Sequence, residues 1–268
     1  MDPAARFADL VDASRPSVPL DEAALLIAAC AHEGLSVEHE LARLDALAAG
    51  VPGRAAAAGD VEAVRRYLYV ERGFAGNAVD YYDPRNSFLD DVLTRRTGIP
   101  ITLAVVLIEV ARRCDVALVG VGMPAHFLVR AVDDPAYFVD PFDGVALDVD
   151  GCRRLFVRVA GTSAAFDPAF LEPVSTRTIL SRILANLRSI YASTRDVVNL
   201  AWVLRLRLAL PGGADDDRLE LSRVLAAAGR PGEAADELLA VASSVSAVDG
   251  DRAEELAREA VRLRSRLN

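Results

Sequence analysis

The stretch ITLAVVLIEVARR, residues 101–113, decides the fold class, because it is apolar on nearly every side of a helix until its last turn. A helix of this composition lies at the centre of a domain and is covered on all sides. Pro100 stands directly before it and favours a helix start, since a proline at the first helical position loses no backbone hydrogen bond. The sequence therefore predicts a buried central helix from Ile101 to Arg113.

Three short apolar runs of strand-like composition follow the central helix. They lie at residues 117–122, 127–132 and 137–139, and proline-containing turns separate them. A buried helix followed by a small antiparallel sheet is an α+β core. We therefore predict an α+β fold in which the central helix packs on this sheet.

Helical patterns flank the core on both sides. Amphipathic periodicity predicts three helices before it, at residues 20–30, 37–49 and 60–70. Helices are also predicted in the C-terminal part, at residues 178–191, 197–210, 216–228, 233–243 and 251–267. The chain thus returns to helix after the sheet.

The C-terminal helices include a hairpin, LELSRVLAAAGRPGEAADELLAVA, at residues 219–242. This hairpin resembles a tetratricopeptide-type unit, in which two short helices pack face to face. We predict two domains: residues 1–172 contain the core and its helical N-terminal region, and residues 173–268 form a helical-repeat tail.

Turn and capping signals precede the central helix. Asp83-Pro84 favours a turn, and Ser87 is placed to cap a helix, with Asp90 three residues later in the capping-box position. Gly98 is placed to end that helix.

Composition excludes several classes of function. A net charge of -9 argues against binding to nucleic acid or to an anionic membrane surface, since both need cationic protein surface. The first ten residues, MDPAARFADL, lack the features of a secretory signal, and no apolar run is long enough to span a bilayer. We therefore expect a cytoplasmic protein.

The three cysteines are far apart and never arranged as C-x-x-C, so no disulfide framework, zinc site or other cofactor is predicted. Cys30 is predicted to lie in the core, Cys114 lies at the far end of the central helix, and Cys152 follows a loop with no base near it in sequence. None of them is placed to act as a nucleophile.

His126 is the histidine best placed for chemistry. It begins an apolar strand in GMPAHFLVR, and Asp140 follows another short strand. Adjacent antiparallel strands can bring the two together, so that the carboxylate fixes the tautomer of a general base. On spacing alone, a structural interpretation is favoured, in which Asp140 caps a turn and His126 is a satisfied buried histidine. His32 and His39 are predicted to be solvated helix residues without metal-type neighbours.

Three ordered blocks, YYDPRNSFLDDVLTRRTGIPITL, GVGMPAHFLVR and FVDPFDG, resemble the SirB family of bacterial transglutaminase-like proteins. The resemblance runs from about Leu20 to Leu147, and the helical tail agrees with the usual C-terminal half of that family. It implies a papain-like or transglutaminase-like fold, with a nucleophilic cysteine at the start of the central helix. It also implies that His126 and Asp140 match the histidine and the aspartate of the catalytic triad.

The position of the nucleophile is where this chain departs from the family. The G-x-C sequence of the family falls on residues 98–100, so Pro100 stands in place of the cysteine. Thr102 is the nearest residue with a side-chain oxygen, and a threonine hydroxyl is far less acidic than a thiol.

Two functions follow as expectations. The favoured one is a non-catalytic module that binds a peptide or protein partner, because the triad has lost its cysteine while the tail offers a second surface. The alternative is an unorthodox hydrolase or acyl transferase, in which His126 and Asp140 form a dyad and Thr102 or a water molecule is the nucleophile.

Overall fold

A computed structural model describes residues 2–52, 60–161, 164–213 and 215–265. The chain divides into two compact units, one formed by residues 17–183 and the other by residues 1–16 together with residues 184–268. The N-terminal helix is therefore grouped with the C-terminal helices, which the sequence did not predict. Within the described ranges, no helix combines the length and the apolar composition needed to cross a membrane.

Helices account for most of the described chain. The first α-helices are α1 Pro3–Val11, α2 Leu20–Ala31, α3 Val37–Ala49, α4 Val61–Arg66, α5 Leu89–Arg95 and α6 Pro100–Arg112. The remaining ones are α7 Val149–Ala160, α8 Thr176–Thr194, α9 Val197–Ala209, α10 Asp215–Ala227, α11 Pro231–Val245 and α12 Gly250–Arg264. A π-helix, Tyr67–Glu71, extends α4, and 3-10 helices lie at Pro84–Asn86 and Pro168–Leu171.

The central helix is α6, and the prediction that it is buried is confirmed. Every residue from Pro100 to Ala111 is buried, including Val105 and Val106, which are 0% and 1% exposed. The helix contacts α3 and α5 and strands of the sheet, so its apolar residues have neighbours on all sides.

The strands form two sheets. Four antiparallel strands occur in the order β3 Leu118–Val121, β4 Leu128–Ala131, β5 Phe138–Asp140 and β6 Val145–Leu147. Two short parallel strands, β1 Ala75–Gly76 and β2 Thr97–Gly98, form the other sheet. The predicted α+β class is confirmed, but the sequence analysis did not identify β1, β2 or β6.

Two capping predictions near α5 are wrong. The helix begins at Leu89 with Phe88 as its N-cap, and the buried hydroxyl of Ser87 has no hydrogen-bond partner among the described residues. The helix ends at Arg95, because Arg96 is left-handed with a φ of 56°. Gly98 instead pairs with Gly76 in the parallel sheet, and this pairing takes precedence over the local capping signal.

The helix α7 was also missed in the sequence. It follows β6 and places Cys152, Leu155 and Phe156 in an apolar cluster with residues of the sheet, among them Val121 and Phe138. Only one side of α7 is apolar, and Asp148 caps it by accepting a hydrogen bond from the N–H of Gly151.

The C-terminal helices occur where the sequence predicts them. From residue 176 onward the described chain forms helices and no strand, and α9 to α12 pack against one another in chain order. The predicted last helix extends to residue 267, and residues 266–268 lie outside the described ranges. Whether these helices form a tetratricopeptide-type repeat stays a prediction.

The prediction for His32 is wrong. His32 is the C-cap of α2 and contacts Asp90 and Asp91 on α5, so it is neither a solvated helix residue nor without metal-type neighbours. Its partners lie more than fifty residues away in sequence, where periodicity and spacing give no indication of contact.

Candidate functional site

The imidazole of His126 and the carboxylate of Asp140 form a hydrogen-bonded pair. Nε2 of His126 lies 2.8 Å from Oδ1 of Asp140, which confirms the predicted proximity. Only 9% of the histidine side chain and 1% of the aspartate side chain are exposed. An ionised carboxylate can only accept, so Nε2 carries the proton and Nδ1 is the nitrogen that a neutral imidazole leaves free as a base.

A tight turn at residues 123–126 positions the imidazole. The N–H of His126 donates to the carbonyl of Met123 at 3.2 Å. Pro124 occupies the second position of the turn, and Ala125 at the third has a φ of 62°, as a type II turn requires. Alanine in this left-handed region costs roughly 1–2 kcal/mol relative to the right-handed one. The backbone beside His126 is therefore strained.

Arg182 on α8 stabilises this turn through hydrogen bonds to its backbone. Its Nη2 donates to the carbonyls of Met123 and His126 at 3.3 and 3.1 Å, and its guanidinium lies 5.4 Å from the ring centroid of Phe127. Burial lowers the pKa of Arg182, although arginine remains charged at neutral pH. The sequence analysis missed this residue because it lies on a helix 56 residues beyond His126.

Asp140 holds a backbone turn as well as the imidazole. Its Oδ1 also accepts from the N–H of Phe142 at 2.9 Å, and its carbonyl accepts from the N–H of Gly144 at 2.8 Å. Gly144 has a φ of 67°, and a Cβ there would overlap the ring of Tyr69. Burial and the negative charge of Asp140 raise the pKa of the Tyr69 hydroxyl. Asp140 thus holds a turn and contacts His126, as the sequence predicts, and the catalytic role of the pair stays a prediction.

Pro100 and Thr102 lie in the first turn of α6. Pro100 is the first residue of the helix, and Thr102 in the same turn is 1% exposed. The hydroxyl of Thr102 donates to the carbonyl of Asn86 at 2.5 Å, and its oxygen accepts from the N–H of Ile99 at 3.3 Å. Among the described residues, no hydrogen bond joins Thr102 to His126. The predicted catalytic role of Thr102 stays a prediction, and what the structure contains is a helix cap.

The three cysteines differ in burial. Cys114 and Cys152 are buried, whereas Cys30 is only half-buried and is not the core residue that we predicted. Burial, together with the charges of Asp148 and Asp140, raises the pKa of the Cys152 thiol to about 12. Cys152 is thus within electrostatic reach of Asp140, which the sequence did not indicate. A thiol that keeps its proton is a poor nucleophile.

A row of rings leads from the surface to the buried pair, and we call Tyr82, Tyr81, Phe142 and His126 the aromatic row. The centroids of successive rings are 5.4, 6.3 and 6.4 Å apart. Tyr82 is 73% exposed and Tyr81 is 42% exposed. Gly76 lies against the Phe142 ring, where a Cβ would overlap it. An exposed tyrosine pair provides a large contact area at little cost in side-chain entropy.

Comparison with known families identifies the larger unit. Residues 36–185 match the family model described as the transglutaminase-like superfamily. This range contains α6, the four-stranded sheet, and both members of the His126–Asp140 pair. It ends within α8, so the match does not include the remaining C-terminal helices.

Individual relatives extend this finding. A UPF0162 protein of Xylella fastidiosa (strain Temecula1) is 50% identical over 137 residues, which are 49% of each chain, so the match spans about half the length of that relative. A UPF0162 protein of Pseudomonas aeruginosa is 36% identical over 197 residues, 72% of each chain. F-box only protein 21 of Homo sapiens is 32% identical over 134 residues, which are 48% of this chain and 21% of that protein.

Proposed function

The chain belongs to the transglutaminase-like superfamily, and we propose that it acts there as a non-catalytic module that binds a peptide or protein segment. Within the superfamily we place it in the SirB family, on the three sequence blocks that resemble it. The binding site that we propose is the aromatic row and the buried pair at its inner end.

The start of α6 carries this proposal. The resemblance places the nucleophile of the family at Pro100, which has neither a thiol nor a hydroxyl. Thr102, two residues on, is buried, and its hydroxyl is held by the carbonyl of Asn86. To attack a substrate, this hydroxyl would have to leave a helix cap, and the carbonyl would lose its donor at a cost of about 1–3 kcal/mol.

The surroundings of the pair support binding. Tyr82 and Tyr81 expose large aromatic surface, and aromatic anchors of this kind contribute a large share of the energy at many protein interfaces. The inner end of the row is polar, since His126 and Asp140 lie there. A peptide with an apolar side chain followed by a hydrogen-bonding group fits this sequence of surfaces. For the C-terminal helices we propose a tetratricopeptide-like second surface.

Selection of peptides tests the proposal. A displayed peptide library is selected on the full-length chain, and enriched peptides are measured again on a Tyr81→Ala, Tyr82→Ala double variant. Loss of two aromatic anchors should weaken binding by about 10- to 30-fold. Val248→Ala is the matched control, because Val248 is a 92% exposed apolar residue in the other unit. The affinity of the Val248→Ala variant for the enriched peptides should equal that of the wild type. Failure to enrich any peptide, or enriched peptides that bind the double variant unchanged, would count against the proposal.

A second candidate function is a hydrolase or acyl transferase that uses water. The 2.8 Å pair favours it, because the carboxylate fixes the proton on Nε2 and leaves Nδ1 to act as a base. Turnover is measured with amide, ester and thioester substrates. Turnover by the wild type that disappears in His126→Ala, while Thr102→Ala keeps it, would establish this function in place of the binding module.

A further inference from the structure

A second cluster of imidazole and carboxylate groups lies apart from the aromatic row. His32 at the end of α2 approaches Asp90 and Asp91 in the first turn of α5. One ligand atom from each of the three residues lies within 4.8 Å of the other two. All three side chains are partly accessible, with exposures of 33%, 17% and 21%.

Only one contact in this cluster is a hydrogen bond. Nδ1 of His32 lies 2.7 Å from Oδ2 of Asp90, so Nδ1 carries the proton that the carboxylate accepts. Nε2 of His32 lies 3.5 Å from Oδ2 of Asp91, and this oxygen has no hydrogen-bond partner among the described residues although it is buried. Oδ1 of Asp90 is buried and lacks a partner in the same way.

The long contact has the dimensions of two ligands on one metal ion. Ligand atoms about 2.0–2.1 Å from a tetrahedral ion lie about 3.3 Å from each other, close to the 3.5 Å between Nε2 and the Asp91 oxygen. The other ring nitrogen already donates to a carboxylate, which is the arrangement that orients a histidine ligand in many metal sites. A buried oxygen without a donor is costly in the absence of a cation.

We propose that His32, Asp90 and Asp91 form a binding site for a divalent transition-metal ion. Nε2 of His32 and Oδ2 of Asp91 are ligands, and Asp90 orients the imidazole through Nδ1. Water completes the coordination sphere. The site lies within residues 17–183 and is independent of the peptide-binding proposal.

The charges around the cluster agree with this site. Asp90 and Asp91 are adjacent carboxylates, and one buried oxygen of each has no hydrogen-bond donor among the described residues. Arg85 and Arg95, the arginines on this side of α5, both form ion pairs with Asp83. A divalent ion supplies the missing positive charge.

The donor set indicates the class of metal. Imidazole suits zinc, copper, iron and nickel, whereas sites of carboxylate and water alone suit magnesium and calcium. One nitrogen and one carboxylate oxygen, with no thiolate, therefore favour Zn²⁺ or a related first-row ion. Cys30 lies two residues before His32, so the test must distinguish a thiolate ligand from an oxygen ligand.

Calorimetric titration of the full-length chain with Zn²⁺ is the primary test. We expect one saturable site in the wild type, no binding at this site in His32→Ala, and at least a tenfold weaker site in Asp91→Asn. Asp90→Ala, which loses the residue that orients the imidazole, should weaken binding by about 10- to 100-fold. His39→Ala is the matched control, since His39 is an exposed histidine on α3, and His126→Ala controls for the buried pair. Both should bind Zn²⁺ like the wild type.

Two further measurements test whether the variants fold and which atoms bind the metal. Thermal melting in the presence of a chelator shows whether each variant folds. If His32→Ala does not fold, the isosteric Asp91→Asn variant tests the site in its place. Titration with Co²⁺ should give visible absorption typical of nitrogen and oxygen ligands, without the ultraviolet charge-transfer band of a thiolate. A wild type that does not bind Zn²⁺, binding that persists in folded Asp91→Asn, or a thiolate band would each overturn the proposal.

Discussion

The His126–Asp140 and His32–Asp90 pairs have nearly equal hydrogen bonds, 2.8 and 2.7 Å long, in opposite surroundings. In the first pair the side chains are 9% and 1% exposed, and in the second they are 33% and 17% exposed. A buried pair must find all its partners inside the protein, whereas an accessible pair can exchange partners with water or ions. The same two chemical groups can therefore serve different purposes in one domain.

The neighbours of each pair extend this difference. Around His126, the backbone of the turn is held by Arg182, and Asp140 accepts a second hydrogen bond from Phe142. Around His32, carboxylate oxygens of Asp90 and Asp91 remain without donors. The carboxylate of the first pair has its hydrogen bonds within the fold, whereas the carboxylates of the second pair and of Asp91 have oxygens left for a cation.

Removal of the aspartate from each pair should give the largest difference between them. Asp140→Ala leaves a buried imidazole and the N–H of Phe142 without an acceptor, so we expect it to lower the free energy of unfolding by about 3 kcal/mol. Asp90→Ala should lower it by less than about 1 kcal/mol, because this pair is partly accessible to water and Oδ1 of Asp90 has no hydrogen bond among the described residues to lose. Urea denaturation in the presence of a chelator measures both values. Equal losses would mean that burial does not distinguish the pairs.

The buried pair could be predicted because the turns and strands around it are close in sequence and because the resemblance to the SirB family implied the pairing, which spacing alone did not favour. The apolar pattern of residues 101–113 indicated α6, and short strands carried His126 and Asp140 toward each other. The cluster of His32, Asp90 and Asp91 could not be predicted in this way, because 58 residues separate His32 from Asp90. No periodicity links the end of α2 to the start of α5.

The two wrong capping predictions near α5 also result from contacts between residues far apart in sequence. Ser87 and Gly98 have the local chemistry of caps, but β1 and β2 pair residues more than twenty positions apart. That pairing places Gly98 in a strand and ends α5 at the left-handed Arg96. The pairing of β1 with β2 overrides the local capping propensity. Strands of two residues are too short to be recognised from the sequence.

Arg182 should matter more than an arginine beside the accessible pair. Arg182→Met removes two donors to the backbone of the His126 turn and should lower the free energy of unfolding by about 1–2 kcal/mol. Arg43→Met is the matched control, because Arg43 donates to Glu40 and to Thr94 on α5 at a more exposed position. We expect it to cost less than about 1 kcal/mol. Denaturation curves of the two variants provide the comparison, and a larger loss in Arg43→Met would contradict it.

The smallest expected effect concerns the backbone at two left-handed residues, one in the turn beside His126 and one at the end of α5. Ala125 beside His126 has a φ of 62°, and Arg96 at the end of α5 has a φ of 56°. Ala125→Gly relieves the strain of roughly 1–2 kcal/mol but gives the unfolded chain more freedom, worth about 0.4–1 kcal/mol. We therefore expect a net gain in the free energy of unfolding of about 0.5 kcal/mol.

Arg96→Gly removes the same type of strain and should gain less than Ala125→Gly. Its guanidinium donates to the carbonyl of Arg72 at 3.0 Å, and the glycine variant loses this hydrogen bond. Thermal melting of both variants beside the wild type measures the two changes. A gain in Arg96→Gly that equals or exceeds the gain in Ala125→Gly would show that the Arg72 contact contributes nothing. A loss of stability in Ala125→Gly would show that the turn beside His126 is not strained.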